Sequence, residues 1–187
     1  VQPKITEVLK AKGFDPIVID SVSSRSLTTG PDPTNGLTVF QNNISQWKDA
    51  STILIELGTN TSGLDSNNIK TVMDLIKQNN PNAKVYWINI DSFNSERSTP
   101  IDNEGINSTI KNNSNLGYTV IDWYAASKDH LEYLPTDKKT SLGVHPFTEA
   151  GGKAYADTIS QAISSASGGA ASLGGTCECQ SASSGGS

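Results

Sequence analysis

Residues 51–60 read STILIELGTN, a short run of β-branched and apolar residues that ends in a turn-forming sequence. The run from 51 to 57 has the length and composition of a buried strand, and the Gly and Asn that follow it are typical of a turn. A strand with so few polar residues is typical of a parallel sheet that is covered on both faces. Such a sheet requires further strands of the same kind, separated by helices.

Three further segments are predicted to be buried strands: 16–22 (PIVIDSV), 83–90 (AKVYWINI) and 118–124 (YTVIDWY). Helical spacing of apolar residues predicts five helices around and between the four strands. The resulting order, αβαβαβαβα, indicates an α/β fold in which a parallel sheet lies between helices. The inward-facing residues of the five helices are Ile5, Val8 and Leu9; Leu37, Phe40, Ile44 and Trp47; Ile69, Val72, Met73 and Ile76; Ile106 and Ile110; and Tyr155, Ile159 and Ile163.

The predicted order begins with a helix, although the first strand of a doubly wound sheet commonly lies in the middle, as in the order 2-1-3-4-5. If the predicted three-layer fold has such a central first strand, that strand would precede Val1. Without that strand, two rows of backbone groups lose their partners, at about 1–3 kcal/mol for each buried group. Total stability is usually only about 5–15 kcal/mol. The chain alone is thus expected to be marginally stable unless strands 16–22 and 51–57 pair directly.

Composition and length limit the classes of function. The 187 residues suit one domain, 1–165, followed by a Gly/Ser-rich tail or linker, 166–187, that could tether it to another domain. Cys177 and Cys179 in this tail do not make a zinc site by themselves, and we expect no metal. A net charge of −5 argues against a nucleic-acid partner, and no apolar run has the length of a membrane span. The Asn, Ser and Thr content suits an exported bacterial protein, outside the cell or at its surface.

Two residues with catalytic chemistry are predicted to lie at the same edge of the sheet. Sites in open parallel sheets lie beyond the carboxyl ends of the strands. Asn60 follows strand 51–57, and His145 lies in the loop after strand 118–124. A neutral imidazole accepts a proton near pH 7, and an Asn amide with backbone N–H groups stabilises an oxyanion. The pair indicates half of an acyl-transfer site; the alternative is that His145 only precedes a helix.

The spacing of these motifs resembles that of the SGNH (GDSL-like) hydrolases, a flavodoxin-like group of esterases and O-acyltransferases. Gly58 and Asn60 match the Gly-x-Asn block, and GVHPFTEAGG, residues 143–152, matches the last block at His145. Ser24 stands where the family has a small residue whose backbone N–H points at the oxyanion. The resemblance implies that His145 is the general base, that Asn60, Ser24 and Gly58 form the oxyanion hole, and that no cofactor is needed. VIDWYAAS resembles the branch that modifies cell-surface sugars.

Two departures from the family concern the catalytic machinery itself. The Gly-Asp-Ser block, whose Ser is the family's nucleophile, occurs nowhere in the sequence, and the orienting Asp of the family is replaced by Leu142. We expect the nucleophile upstream of Val1, on the same segment as the first strand. Asp137 could orient His145 only if its loop folds back, and a backbone carbonyl could hold the imidazole instead. The substitutes for the nucleophile, which no motif activates, are Ser23, Ser24 and Ser26.

The lead hypothesis is therefore a serine esterase or O-acyltransferase that acts on acyl esters of carbohydrate, in particular acetyl esters, with a glycan of the cell wall as one such substrate. The alternative is a non-catalytic, glycan-binding surface module that has lost its nucleophile. A nucleotide or flavin binder is not indicated, because GTNTSG has neither Gly-x-Gly-x-x-Gly spacing nor a Walker lysine.

Overall fold

The computed structural model describes residues 2–15, 17–22, 25–29, 35–92, 101–134 and 148–166. These residues form seven α-helices, three β-strands and two short 3-10 helices. The helices are α1 (Gln2–Ala11), α2 (Gly36–Asn42), α3 (Ile44–Trp47), α4 (Ser66–Asn79), α5 (Asn103–Asn112), α6 (Trp123–Ser127) and α7 (Glu149–Ala166). The strands are β1 (Thr52–Ile55), β2 (Lys84–Ile88) and β3 (Thr119–Ile121), and the 3-10 helices are Ser114–Leu116 and Leu131–Tyr133.

The three strands form one parallel sheet in the order β1-β2-β3, which confirms the predicted α/β fold. Side chains alternate between its faces, as the period of two in a strand requires. Ile53, Ile55 and Trp87 pack against α2, α4 and α5, whereas Tyr86 and Ile88 pack against α1 and α7. The sheet therefore lies between two helical layers, and each layer has its own apolar core.

The helices begin and end where local chemistry requires. Asp65 accepts a hydrogen bond from the Asn68 amide at 2.9 Å and so caps α4, and Asp102 does the same for Gly105 at the start of α5. The inward residues of α4 and α5 are buried, and so are Tyr155, Ile159 and Ile163 of α7. Helix α1 contacts α7 directly, which closes that layer over the sheet.

The strand predicted at 16–22 is wrong, because residues 17–22 form no strand and belong to no sheet. The side chains of Val18, Ile19 and Val22 remain in solvent, with exposed fractions of 68%, 42% and 45%. An apolar, β-branched run becomes a buried strand only when a neighbouring strand pairs with its backbone. Within the described residues, β1 pairs on one side only, with β2. The direct pairing of 16–22 with 51–57 therefore does not occur.

Two further predictions require correction. The last strand ends at Ile121, since Asp122 accepts a hydrogen bond from the Ala125 amide and starts α6. The single helix predicted from 36 to 47 is two helices, α2 and α3, separated at Asn43. The Asp122 cap thus shortens a strand that its apolar and aromatic composition alone extends.

Candidate functional site

The carboxyl ends of the three strands lie side by side, because parallel strands in adjacent register end at the same edge. Beyond β1 the chain runs through Glu56 to Asn60, and beyond β2 it runs through Asn89 to Ser92. Beyond β3 it reaches Asp122 and Trp123 within two residues. This edge is where an open parallel sheet places its site.

Gly58 brings the exit of β1 directly onto the apolar core. Its φ is +156°, and a Cβ at this position would lie 3.2 Å from Ile90 Cγ2 and 3.3 Å from Ile106 Cγ2. Both distances are shorter than ordinary contacts between carbon atoms. The residue before it, Leu57, accepts a 2.9 Å hydrogen bond from the Trp87 indole. The turn that carries Asn60 is therefore fixed to the core at two adjacent residues.

Asn60 is exposed, and its side-chain amide donates a 3.3 Å hydrogen bond to the Arg25 carbonyl. A second contact between the same segments joins the Thr28 amide to the Ser62 carbonyl at 3.4 Å. Arg25 is in turn paired with Asp20 at 2.8 Å. The structure thus brings the Gly-x-Asn turn next to the segment 25–29, which follows Ser24 in sequence.

Several residues of the predicted site lie outside the described residues. These are His145, Ser24 and Ser23, together with Leu142 and Asp137, and their roles stay predictions. Ser26 is described, and it is buried with its hydroxyl bonded to the carbonyl, hydroxyl and amide of Thr29. This hydroxyl holds its own turn together.

Asn89, which belongs to no sequence motif, joins β2 to the start of α6. Its side chain is buried, donates to Asp122 Oδ1 at 2.7 Å, and accepts from the Tyr124 amide at 2.8 Å. Because Asp122 also caps α6, one amide and one carboxylate fix how this helix meets the sheet. The signal in the sequence is an Asn directly after a buried strand, which alone does not identify a partner.

Asp91 and Ser127 form a second polar contact between the same two elements. Asp91 is 8% exposed and Ser127 is 1% exposed, and their Oδ2 and Oγ atoms are 2.6 Å apart. Burial raises the pKa of the Asp91 carboxyl, and its hydrogen bonds with Ser127 and with the Ser92 backbone oppose that rise. Asp91 and Ser92 thus lie at the same edge of the sheet, directly beyond β2.

A small cavity of about 10 Å³ opens among these residues, which is close to the space that one water molecule needs. Its wall includes the aromatic rings of Trp123 and Tyr155, which meet edge to face with centroids 5.0 Å apart. Tyr155 is buried, and its hydroxyl has no hydrogen-bond partner among the described residues. The remaining lining residues are Glu56, Thr59, Asn89, Ile90 and Asp91.

Glu56 and Tyr155 influence each other across this cavity. The loss of solvent around the Glu56 carboxyl raises its pKa, and the nearby Tyr155 hydroxyl lowers it. Glu56 as a whole is exposed, so solvent limits this rise. Burial, and then the charge of Glu56, raise the pKa of the Tyr155 hydroxyl well above its usual value. Tyr155 therefore stays a neutral hydrogen-bond donor at physiological pH.

Among the described residues, no group of three or more His, Cys, Asp or Glu side chains is arranged to hold a metal ion. Over the same part of the chain, no helix is both long enough and apolar enough to cross a membrane.

No known family profile and no curated protein matches the chain. Solved structures do resemble it. One is a carbohydrate esterase of family 3 from Talaromyces cellulolyticus, with 19% identity over 88% of this chain and 89% of that chain, at a TM-score of 0.56. Another is a peptidoglycan O-acetylesterase, with 13% identity over 71% of this chain and 44% of that chain, at a TM-score of 0.50. At these identities the likeness shows a shared fold.

Proposed function

We propose that the chain carries most of a serine esterase domain of the SGNH type, with a flavodoxin-like fold, that acts on acyl esters of carbohydrate. The supporting observation is the Gly58–Asn60 turn at the carboxyl edge of β1, in a fold that spans nearly the full length of a carbohydrate esterase. The second similar structure, a peptidoglycan O-acetylesterase, supports an acetyl ester on a glycan as the substrate. The same proposal assigns the protein to the outside of a bacterial cell.

In the proposed reaction a Ser hydroxyl attacks the ester carbonyl while His145 takes the hydroxyl proton. The Asn60 amide and the backbone N–H groups of Ser24 and Gly58 stabilise the oxyanion of the tetrahedral intermediate. His145 then returns the proton to the leaving sugar alcohol, which leaves an acyl-enzyme. Water completes hydrolysis of the acyl-enzyme, and a sugar hydroxyl in its place would complete O-acyl transfer.

We propose that the nucleophilic Ser reaches this site on a strand that pairs with the free edge of β1. In the described chain, β1 forms ladder hydrogen bonds with β2 alone. Ile17, at the start of the segment 17–22, is half-buried against the same core as Leu54 of β1. Beyond this segment, the Arg25 carbonyl accepts a hydrogen bond from Asn60. The segment 17–22 forms no backbone hydrogen bond with another described residue. A parallel strand between 17–22 and β1 would satisfy the backbone groups of both segments.

The test is turnover of p-nitrophenyl acetate and of an acetylated oligosaccharide by a chain extended upstream of Val1. We expect activity that falls by about 10²–10⁴-fold in His145→Ala, since general base catalysis contributes that much. His130→Ala is the matched control, because the only other histidine is exposed and pairs with Glu132 at 2.8 Å. Turnover that survives His145→Ala unchanged would show that the assigned base is wrong. Finding Gly-Asp-Ser in the coding sequence just before Val1 would support the proposed nucleophile.

The alternative, a glycan-binding module without catalysis, rests on one observation: none of the 187 residues belongs to a Gly-Asp-Ser block. It predicts that the extended chain binds acetylated oligosaccharide, for example in a calorimetric titration, and releases no acetate. Acetate release that requires His145 would exclude it.

A further inference from the structure

The Ser127 hydroxyl lies close to two oxygen atoms, and its single proton limits which of the neighbouring groups can be protonated. Ser127 Oγ is 2.6 Å from Asp91 Oδ2 and 2.7 Å from the Trp123 carbonyl oxygen. Both distances are those of well-formed O–H···O hydrogen bonds. A serine hydroxyl has one proton, so it donates to one of these oxygens only. The other short contact must receive its proton from the second partner.

A peptide carbonyl has no proton to give, which leaves the Asp91 carboxyl as the second donor. We propose that Asp91 is a neutral carboxylic acid in the folded protein, and that it donates to Ser127, which in turn donates to the Trp123 carbonyl. The remaining carboxyl oxygen, Oδ1, keeps its acceptor role and lies 3.5 Å from Asn103 Nδ2. Every short contact of Ser127 and Asp91 then has one donor and one acceptor.

The surroundings of Asp91 favour the neutral acid. The carboxyl is nearly buried, and burial disfavours a charged carboxylate. Titratable groups from three other elements face this region: Glu56 after β1, Tyr155 on α7 and Asp122 at the end of β3. Each of them is neutral or negative, and none of the ion pairs between described residues includes Asp91. Among the described residues, a second negative charge on Asp91 would therefore meet like charges and no compensating cation.

This proton arrangement makes Asp91 a positioning residue for the aromatic wall of the cavity. The chain of two hydrogen bonds ends on the carbonyl of Trp123, the first residue of α6, whose ring packs edge to face on Tyr155. Asn89 holds the same helix end through Asp122 and the Tyr124 amide. Asp91 and Asn89 together set the position of the Trp123 indole, whether or not the domain is an esterase.

The direct test is a titration of the aspartate side-chain carboxyl carbons by ¹³C NMR in the intact chain. We expect the Asp91 signal, assigned by its loss in Asp91→Asn, to titrate at higher pH than the signal of the exposed Asp49. An Asp91 signal that titrates with or below that of Asp49 would overturn the proposal. This measurement uses the unsubstituted protein for its result and does not depend on the stability of a variant.

The second test compares thermal midpoints across pH. Because the folded-state pKa of Asp91 is raised, its neutral form adds stability that is fully present at low pH and is lost as pH rises through the folded pKa. The side-chain amide of Asp91→Asn can still donate a hydrogen bond to Ser127, and it does not titrate. The Tm of this variant should therefore equal or exceed the Tm of the unsubstituted protein at pH 7, and the difference between the two Tm values should shrink towards pH 4. A charged Asp91 predicts the reverse: a lower Tm for Asp91→Asn at pH 7. Asp49→Asn is the control for a change of charge alone.

The third test reads the position of Trp123 itself, through its indole N–H resonance. We expect Asp91→Ala to shift this resonance and Asp91→Asn to restore it, while the indole resonances of Trp47 and Trp87 stay in place. A Trp123 resonance that is unchanged in Asp91→Ala, or shifted equally in both variants, would show that Asp91 does not position the ring through a donated proton.

Discussion

Gly58→Ala tests whether close packing at the exit of β1 holds the Gly-x-Asn turn in place. The new Cβ would lie 3.2 Å from Ile90 Cγ2 and 3.3 Å from Ile106 Cγ2, inside a core whose residues cannot move freely. Overpacking of this kind costs about 1–3 kcal/mol. The φ of +156° adds about 1–3 kcal/mol for a residue with a Cβ. We therefore expect Gly58→Ala to lower the free energy of unfolding by roughly 2–6 kcal/mol.

Urea denaturation measures this loss as a change in the midpoint at constant m-value. Gly13→Ala is the matched control, because Gly13 also has a positive φ, +88°, but no atom within 4 Å of the added Cβ. It should show the backbone cost without the packing cost. If Ile90 is the obstacle, Ile90→Ala and Gly58→Ala should be non-additive, with a coupling energy of about 0.5–3 kcal/mol. Equal losses in Gly58→Ala and Gly13→Ala, with additive double-variant energies, would refute the packing argument.

Two further predictions concern buried polar groups. Asn89→Ala removes two hydrogen bonds and leaves the Tyr124 amide without its partner, so we expect a loss of about 2–4 kcal/mol in the same urea assay. Tyr86→Phe should keep or raise the urea midpoint, since the buried Tyr86 hydroxyl has no hydrogen-bond partner among the described residues. Tyr118→Phe should lower the free energy of unfolding by about 0.5–1.5 kcal/mol, because it removes the 2.5 Å hydrogen bond from the Tyr118 hydroxyl to the Ile110 carbonyl. A loss in Tyr86→Phe as large as that in Tyr118→Phe would contradict the second prediction.

Most of the fold follows from local patterns in the sequence. Residues Ile69, Val72, Met73 and Ile76 repeat at helical spacing behind a capping Asp65, and the structure has α4 there with all four buried. The run 83–90 contains β2, which pairs with a strand on each side and whose residues Val85, Tyr86, Trp87 and Ile88 are buried under the two helical layers. The run 16–22 is also short, apolar and β-branched, yet residues 17–22 form no strand. The difference is a pairing partner, which composition does not reveal.

The polar contacts of the site were less predictable than the motif residues, because they depend on distance in space. Gly58 and Asn60 belong to a short pattern in sequence, and both lie at the expected edge. Asp91 and Ser127 are 36 residues apart and have no pattern of their own. They meet because β2 ends beside α6, and only the structure gives the register that brings them together.

The two helical layers differ in how completely they enclose the edge strand β1, and this difference bears on the proposed nucleophile. Ile53 and Ile55 are buried against the layer of α2, α4 and α5. On the opposite face Leu54 is half-buried and Glu56 is exposed, although α1 and α7 cover Tyr86 and Ile88 of the adjacent strand completely. A strand beside β1 would therefore add most of its buried area on the α1 and α7 face. It would also bring its carboxyl end next to Glu56 and Tyr155, so these two residues, more than Asn60, would contact the backbone that carries the proposed Ser.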